Sequence, residues 1–278
     1  MMTIPNPEPL VAVILVAYGG RDDTLVCITS LLKSDYPNYK IILVDNASWD
    51  DTSEQVAAKF PDVEIIYSDK NLGFAGGNNL GMDRALEIGA QYIFLLNNDT
   101  EIAPDAISCL VESAETRENI GVIGPMIYYH EDSSLIWSAG GNIDYAWSNL
   151  YHRGIRTKNT KEYSILEEVD YLTGCAIMFP AKRVLEVGKL DESYWMYYED
   201  ADFCQRIKTA GYSVMFEPGA KVWHKVSSST GGNLAPRKMI YKFNSGYRFF
   251  MRYSPSPFWF ITYPISQLIA FFRALRVR

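Results

Sequence analysis

The sequence predicts an α/β protein built on a doubly wound, largely parallel sheet. Three observations carry that expectation. Val11-Ala-Val-Ile-Leu-Val-Ala17 is an unbroken apolar run, the pattern of a strand buried on both faces. Two shorter apolar runs, 40–44 and 63–67, follow it, separated by amphipathic helical stretches. Such alternation folds through right-handed crossovers into one sheet. A fourth run, 92–96, stops abruptly at Asn97-Asn98-Asp99. It delivers a carboxylate to the carboxyl edge of the sheet, where ligands bind in open α/β folds. Asn and Asp also end strands in turns and cap helices. A hard divalent cation, Mg2+ or Mn2+, would suit one carboxylate plus substrate phosphates.

In chain order, Tyr18-Gly-Gly-Arg21 follows the first strand and leads into a helix over 24–33. GxGxxG is missing from this turn, which disfavours a nicotinamide or flavin enzyme. Tyr18 would instead stack on a base. The second strand ends in Asp45-Asn-Ala-Ser48. Asp45 there either accepts a hydrogen bond from a base or ribose, or only opens an Asx-type turn before the helix that reaches 60. Asn71-Leu-Gly-Phe-Ala-Gly-Gly-Asn-Asn-Leu-Gly81 opens a helix to about 87. Its glycines would let backbone approach a ligand, and helix N-termini attract anions; the same composition also makes a plain turn. A helix from Pro104 to about 117 and a strand over 121–127 come next.

Residues 128–168 are less regular, with a turn at Ser138–Asp144 between short strands and a mobile loop over 149–160. A strand over 169–180 is broken at Gly174, and a helix covers 182–187. The next stretch, Asp191-Glu-Ser-Tyr-Trp-Met-Tyr-Tyr-Glu-Asp-Ala-Asp202, enters a helix closed by Gly211. Acids at a helix start ordinarily only complement its dipole. Here Tyr194, Trp195, Tyr197 and Tyr198 precede them. Aromatic walls beside carboxylates suit a sugar cleft, and burial tunes a carboxylate into a base. After a last strand over 212–216 comes His224, either a structural histidine or part of a metal site.

Composition narrows the class. The chain has 278 residues, 48% of them hydrophobic, enough for a sizeable core. Its four cysteines form no CxxC pair, which fits a reducing compartment rather than zinc or a disulfide scaffold. Residues 1–10 carry no signal-peptide pattern. The net charge of −7 is uneven: the ten Lys and Arg of 218–278 face no acid, leaving 16 basic against 33 acidic residues before them. A basic tail on an acidic body points to an anionic membrane surface; a nucleic-acid partner would not explain the acidic body.

With these pieces in order, the chain resembles the family 2 glycosyltransferases, and among them the bacterial rhamnosyltransferase-like enzymes of cell-surface polysaccharides. The resemblance spans about 11–224. It rests on Tyr18, Val44-Asp-Asn-Ala-Ser48, Asn71-x-Gly-Phe-Ala-Gly-Gly-Asn-Asn-x-Gly81, Leu95-Leu-Asn-Asn-Asp99, Thr173-Gly-Cys-Ala, and Asp191-Glu through Tyr-Glu-Asp-Ala-Asp202 to Arg206. It implies a GT-A fold, a dTDP- or UDP-sugar donor, a divalent metal, inversion at the anomeric carbon and a glycan or lipid-linked acceptor. Tyr18, Asp45, Asn71, Gly73, Gly77, Asn79, Asn97 and Asn98 would bind the nucleotide sugar. Asp99 and His224 would ligate metal. Asp200 would be the general base with Glu199 in support, and Thr173, Gly174, Trp195 and Tyr197 would face the acceptor. In this chain Asn97 replaces the first acid of the family's DxD motif, and Phe243-Asn244 stands where many relatives carry Arg-Asn. A nucleotidyltransferase, or a sugar-nucleotide-binding subunit without activity, is the competing reading; the first lacks its basic Gly-rich turn and the second would have lost Glu199 and Asp200.

Two units are expected: a catalytic domain over 1–232, its end marked by the flexible Ser227–Asn233, and a helical segment over 233–278. That segment mixes Arg and Lys with aromatic residues, and Pro264 and Gln267 interrupt its apolar run. Its uninterrupted apolar stretches fall well short of the roughly 18–20 residues of a spanning helix. It suits helices lying on the cytoplasmic face of the plasma membrane, or packing against the body or a second copy.

Overall fold

A computed structural model describes residues 8–226 and 236–276. The expected flexible stretch 227–233 lies outside them. The parallel half of the sheet is as expected: β1 (Val11–Ala17), β2 (Tyr39–Asp45), β3 (Glu64–Tyr67) and β4 (Tyr92–Asn97). They alternate with α1 (Arg21–Leu31), α2 (Thr52–Lys59) and α3 (Gly73–Glu87). β1 lies between β2 and β4, and its side chains feed two cores. Ala12 and Ile14 pack with Met82 and Ala85 of α3, while Val11, Val13 and Leu15 pack with Cys27, Ile28 and Leu31 of α1. Two covered faces explain the unbroken apolar run.

The other half is mixed. β5 (Thr100–Ile102) and α4 (Ala106–Glu115) precede β6 (Ile120–Tyr129) and the short β7 (Ile136–Ser138). β8 (Gly141–Asp144) and β9 (Asn149–His152) form a separate two-stranded sheet. After β10 (Glu167–Glu168), β11 (Ala176–Pro180) inserts antiparallel between β4 and β6. Its direction matters, because the start of β11 then meets the end of β4. α5 (Lys182–Val187) and α6 (Glu199–Thr209) lead to β12 (Ser213–His224). That strand was expected to stop at 216. It continues past a register shift at Glu217/Lys221 and carries His224 as its last residue.

The C-terminal helices are α7 (Pro236–Tyr253) and α8 (Trp259–Arg276). Phe249, Phe250 and Tyr263 are fully buried, in the same core cluster as Phe203 and Ile207 of α6. Burial of side chains this large is worth about 1.5–3 kcal/mol each. α7 is therefore packed onto the body, the alternative left open for the tail.

Candidate active site

The parallel register aligns Ala17 with Asp45 and Val16 with Asn97, so three strands end side by side. Tyr18, next after β1, is exposed. Asp45 forms the Asx-type turn: its carboxylate accepts the Ser48 N–H at 2.7 Å and the Ser53 hydroxyl. It shapes its loop from the strand end, whatever it does for a ligand. Its neighbour Asn46 was not singled out from the sequence, yet it ties two loops together. Asn46 Oδ1 accepts the Leu72 N–H at 2.8 Å, and its Nδ2 donates to Gly73 O at 3.0 Å and Asn71 Oδ1 at 3.2 Å. Asn71 in turn accepts the Gly73 N–H at 2.8 Å.

The glycine cluster behaves differently from expectation. Gly76 and Gly77 lie inside α3 rather than in a ligand loop. A Cβ on Gly77 would sit 2.7 Å from Val16 Cγ1, so the close approach it permits is of helix to sheet. Asn79 is buried, and its amide is engaged at both ends. It donates to Leu190 O and Glu192 Oε1, both at 2.9 Å, and accepts the Leu190 N–H at 3.0 Å. Gly77 and Asn79 thus serve packing and loop attachment. Gly73 has φ +73 and abuts the Trp195 carbonyl, which accepts the Phe74 N–H at 3.0 Å.

Asn97 ends β4, and its N–H donates to Cys175 O at 2.8 Å. Asn98 turns back to the first loop, donating to Thr24 Oγ1 at 2.8 Å and more weakly to Gly19 O at 3.4 Å. Asp99 is nearly buried. Antiparallel pairing of β5 with β12 sets His224 opposite Thr100, which brings His224 Nε2 within 3.2 Å of Asp99 Oδ1. Burial opposes charge on this imidazole, but Cys175 and Asp99 outweigh it and push its pKa up to about 10. Trp137 lies edge-on to His224, with His152 also against it, each at 4.6 Å between ring centroids. Burial, with help from Lys242 of α7 and from His224, pushes His152 down to about 4. Trp137, His152 and Lys242 carry no motif that would have disclosed them.

The Asp99–His224 pair fits a divalent cation. A nearly buried carboxylate oxygen faces an imidazole nitrogen, an O,N donor pair of the kind such cations accept. Among the described residues no group of three or more His, Cys, Asp or Glu is arranged for a metal. Two protein ligands leave the other positions to phosphate oxygens and water, the usual way Mg2+ is held.

The acidic pair sits at the start of α6. Tyr197 and Tyr198 both take φ 71, an uncommon pair of left-handed non-glycine residues. They turn the chain so that Glu199 and Asp200 begin the helix. Asp200 keeps solvent contact. Its Oδ2 accepts the Gly174 N–H at 2.8 Å, and its Oδ1 accepts the Ala201 N–H at 2.7 Å. The antiparallel β11 is what brings Gly174 to it. Burial raises the Asp200 pKa, and the two N–H donors hold it partly back. Glu199 is buried, and its Oε2 has no hydrogen-bond partner among the described residues. Burial first, then the Asp200 charge, raises its pKa well above the ordinary value. Both acids are thus raised by burial, and Asp200 has the two N–H donors that favour its charged form.

Of the four aromatic residues before the pair, Tyr194 and Tyr198 are core residues. Trp195 and Tyr197 retain solvent contact. Trp195 stacks on Tyr241 of α7 at 6.2 Å. Thr173, partly exposed, precedes Gly174 at the same edge. The structure thus places Tyr18, Asp45, Asn71, Gly73, Asn97, Asn98, Asp99 and His224 along the strand ends, with Asp200, Thr173 and Gly174 on the mixed side, and Trp195 and Tyr197 on the segment that runs from the contact with Gly73 to Asp200.

The family model "Glycosyl transferase family 2" matches residues 12–181. The N-acetylglucosaminyl-diphospho-decaprenol L-rhamnosyltransferase of Mycobacterium tuberculosis is 24% identical over 237 residues, covering 79% of this chain and 77% of that protein. The dTDP-rhamnosyl transferase RfbF of Shigella flexneri is 25% identical over 224 residues, 78% of this chain and 69% of that one. Among solved structures, GalNAc-T7 with UDP, GalNAc and Mn2+ superposes with a TM-score of 0.69 at 17% identity, over 87% of this chain and 47% of that chain. The mannosyltransferase PcManGT of Pyrobaculum calidifontis with GDP-Man and Mn2+ gives 0.63 at 17% identity, over 95% of this chain and 71% of the other. These superpositions bear out the expected GT-A fold.

Proposed function

This chain belongs to glycosyl transferase family 2, and from that premise we propose that it is an inverting glycosyltransferase. It moves a sugar, rhamnose or another hexose, from a dTDP- or UDP-linked donor to a hydroxyl of a glycan or lipid-linked acceptor. The rhamnosyltransferase names of the two relatives support the donor class. The observation that carries the reading is the division of labour at one sheet edge: an Asp99–His224 pair for the diphosphate side, and an Asp200 carboxylate held by Gly174 on the mixed side.

Tyr18 and Asp45 bind the base or ribose, and Asn71, Gly73, Asn97 and Asn98 shape the donor cleft. Trp195 and Tyr197, with Thr173, form the acceptor wall. Asp200 removes the proton of the acceptor hydroxyl while that oxygen attacks the anomeric carbon. The bond from that carbon to the phosphate oxygen breaks in the same step, and its electron pair leaves with the nucleoside diphosphate. One displacement inverts the centre and needs no protein nucleophile. Glu199, more deeply buried than Asp200, stands next to it in support. Asp99 and His224 are the residues that would hold Mg2+ or Mn2+, which when bound stabilises the charge developing on the leaving diphosphate. The test is nucleoside diphosphate release over a panel of nucleotide sugars with either metal. Turnover of one or more donors is expected; release from none of them, with a folded protein, would contradict the activity.

We also propose a peripheral location on the inner face of the plasma membrane. Among the described residues no helix is long and apolar enough to cross a membrane. On α8, Ile261, Ile265, Leu268, Ile269 and Phe272 are all exposed, and their spacing puts them on one helical face. Such a face, in the segment of the chain that carries ten Lys and Arg and no acid, suits an anionic interface. Because α7 contributes core residues, point changes are a cleaner probe than truncation. A chain with Ile265→Glu, Leu268→Glu and Phe272→Glu should pellet less with anionic vesicles than the unaltered chain, and binding of the latter should weaken as salt rises. Equal pelleting of the two, or no preference for anionic over neutral lipid, would remove α8 from this role.

A further inference from the structure

The Tyr197–Tyr198 turn is held from outside, and what holds it is α7. Two consecutive non-glycine residues in the left-handed region persist only when their surroundings over-determine them. The Tyr198 ring packs on Phe249 at 5.5 Å and on Phe250 at 6.2 Å between centroids. Where α7 crosses the turn it carries Gly246, whose Cβ, if present, would lie 2.8 Å from Tyr198 Cζ and against the Tyr263 hydroxyl. Ser245 Oγ donates to Met196 O at 3.0 Å, one residue before the turn. Beyond it, α7 closes on the first turn of α6 through Asp202. This fully buried carboxylate accepts from Tyr253 Oη at 2.7 Å and Arg252 Nη1 at 3.0 Å on one oxygen, and from Arg206 Nε at 2.8 Å on the other. Asp202 N–H in turn donates to Tyr198 O at 2.8 Å. Glu199 and Asp200 lie between these two attachments.

We propose that α7 is a positioning element of the active site: Arg252 and Tyr253, through Asp202, fix the start of α6 so that Asp200 stays against the Gly174 N–H in the orientation that faces the acceptor. This inference rests on Asp200 being the base. Arg252 and Tyr253 act through Asp202, to which both are bound. Without their clasp the Tyr197–Tyr198 turn relaxes toward ordinary backbone angles, α6 turns with it, and the carboxylate swings from its place. The ends of β1, β2 and β4, which carry Tyr18, Asp45 and Asn97, make none of these contacts and are left as they were.

The test is steady-state kinetics on the full chain with the best donor of the panel. Arg252→Gln and Tyr253→Phe should each lower kcat about tenfold, with donor KM within about twofold of the unaltered protein. Arg252→Lys, which keeps the charge, should recover most of the loss. Tyr253→Phe removes only a hydroxyl, so it is the arm least exposed to misfolding, and circular dichroism measures the folded fraction of each variant. Wild-type kcat in both Arg252→Gln and Tyr253→Phe overturns the proposal. So does a loss that matches the unfolded fraction, or one that appears in donor KM. Failure of the underlying reading has its own signature, an Asp200→Asn protein that transfers at the wild-type rate.

Discussion

Asp200→Asn is expected to lower kcat by about two to four decades, the usual cost of losing a general base. Donor binding should be largely retained, because Tyr18, Asp45, Asp99 and His224 stand on other elements. The substitution removes the proton acceptor without removing bulk. The amide keeps one oxygen for the Gly174 or Ala201 N–H and gives up the other of these bonds. Release of nucleoside diphosphate reports the rate, and calorimetric titration with nucleoside diphosphate and Mn2+ reports binding. Near wild-type transfer by a folded Asp200→Asn protein would take this residue out of the role. The pH profile carries a second sign of the same group. Burial raises the Asp200 pKa and the base works ionised, so the acid limb of kcat should lie above the ordinary carboxylate range. Activity should fall as pH drops through that raised value.

Asp99→Ala is expected to abolish metal-dependent donor binding and to lower turnover by about two to three decades, the range seen when one transition-state charge stabiliser is removed. EDTA should inhibit the unaltered protein, and added Mn2+ should restore it. The effect is large because the chain has few alternatives nearby. Asn97 brings no charge, and Asn98 is drawn to Thr24 and Gly19. His224 alone would bring no negative charge. His224→Ala should weaken metal affinity while leaving Asp99 as the anchor. Activity indifferent both to EDTA and to Asp99→Ala would contradict a cation at this place.

The parallel strands could be read from the sequence because burial on both faces leaves continuous apolar runs, as in Val11–Ala17 and the 92–96 stretch of β4. The position of Asp45 and Asn97 at strand ends followed from where those runs stop. Strand direction in the second half was not legible. Nothing in Ala176–Pro180 marks it as antiparallel, yet that direction is what carries Gly174 to Asp200. The glycines of α3 were misleading, since close helix–sheet packing and close ligand approach call for the same missing Cβ. Asn46 and Asn79 show their loop-tying role only in where their amides point. The inner face of α7 was hidden for another reason. Its buried positions, Ser245, Gly246, Phe249 and Phe250, are partly small and polar, and exposed Ile240, Phe243 and Met251 blur the stripe.

The most direct test of the account is the anomeric configuration of the transferred sugar. With the active donor identified, the product is followed by NMR, using an acceptor glycan or water as the attacking hydroxyl and recording before any free sugar can mutarotate. A single displacement assisted by Asp200 predicts that the first-formed product has the configuration opposite to that of the donor. A first-formed product with the donor's own configuration would contradict it.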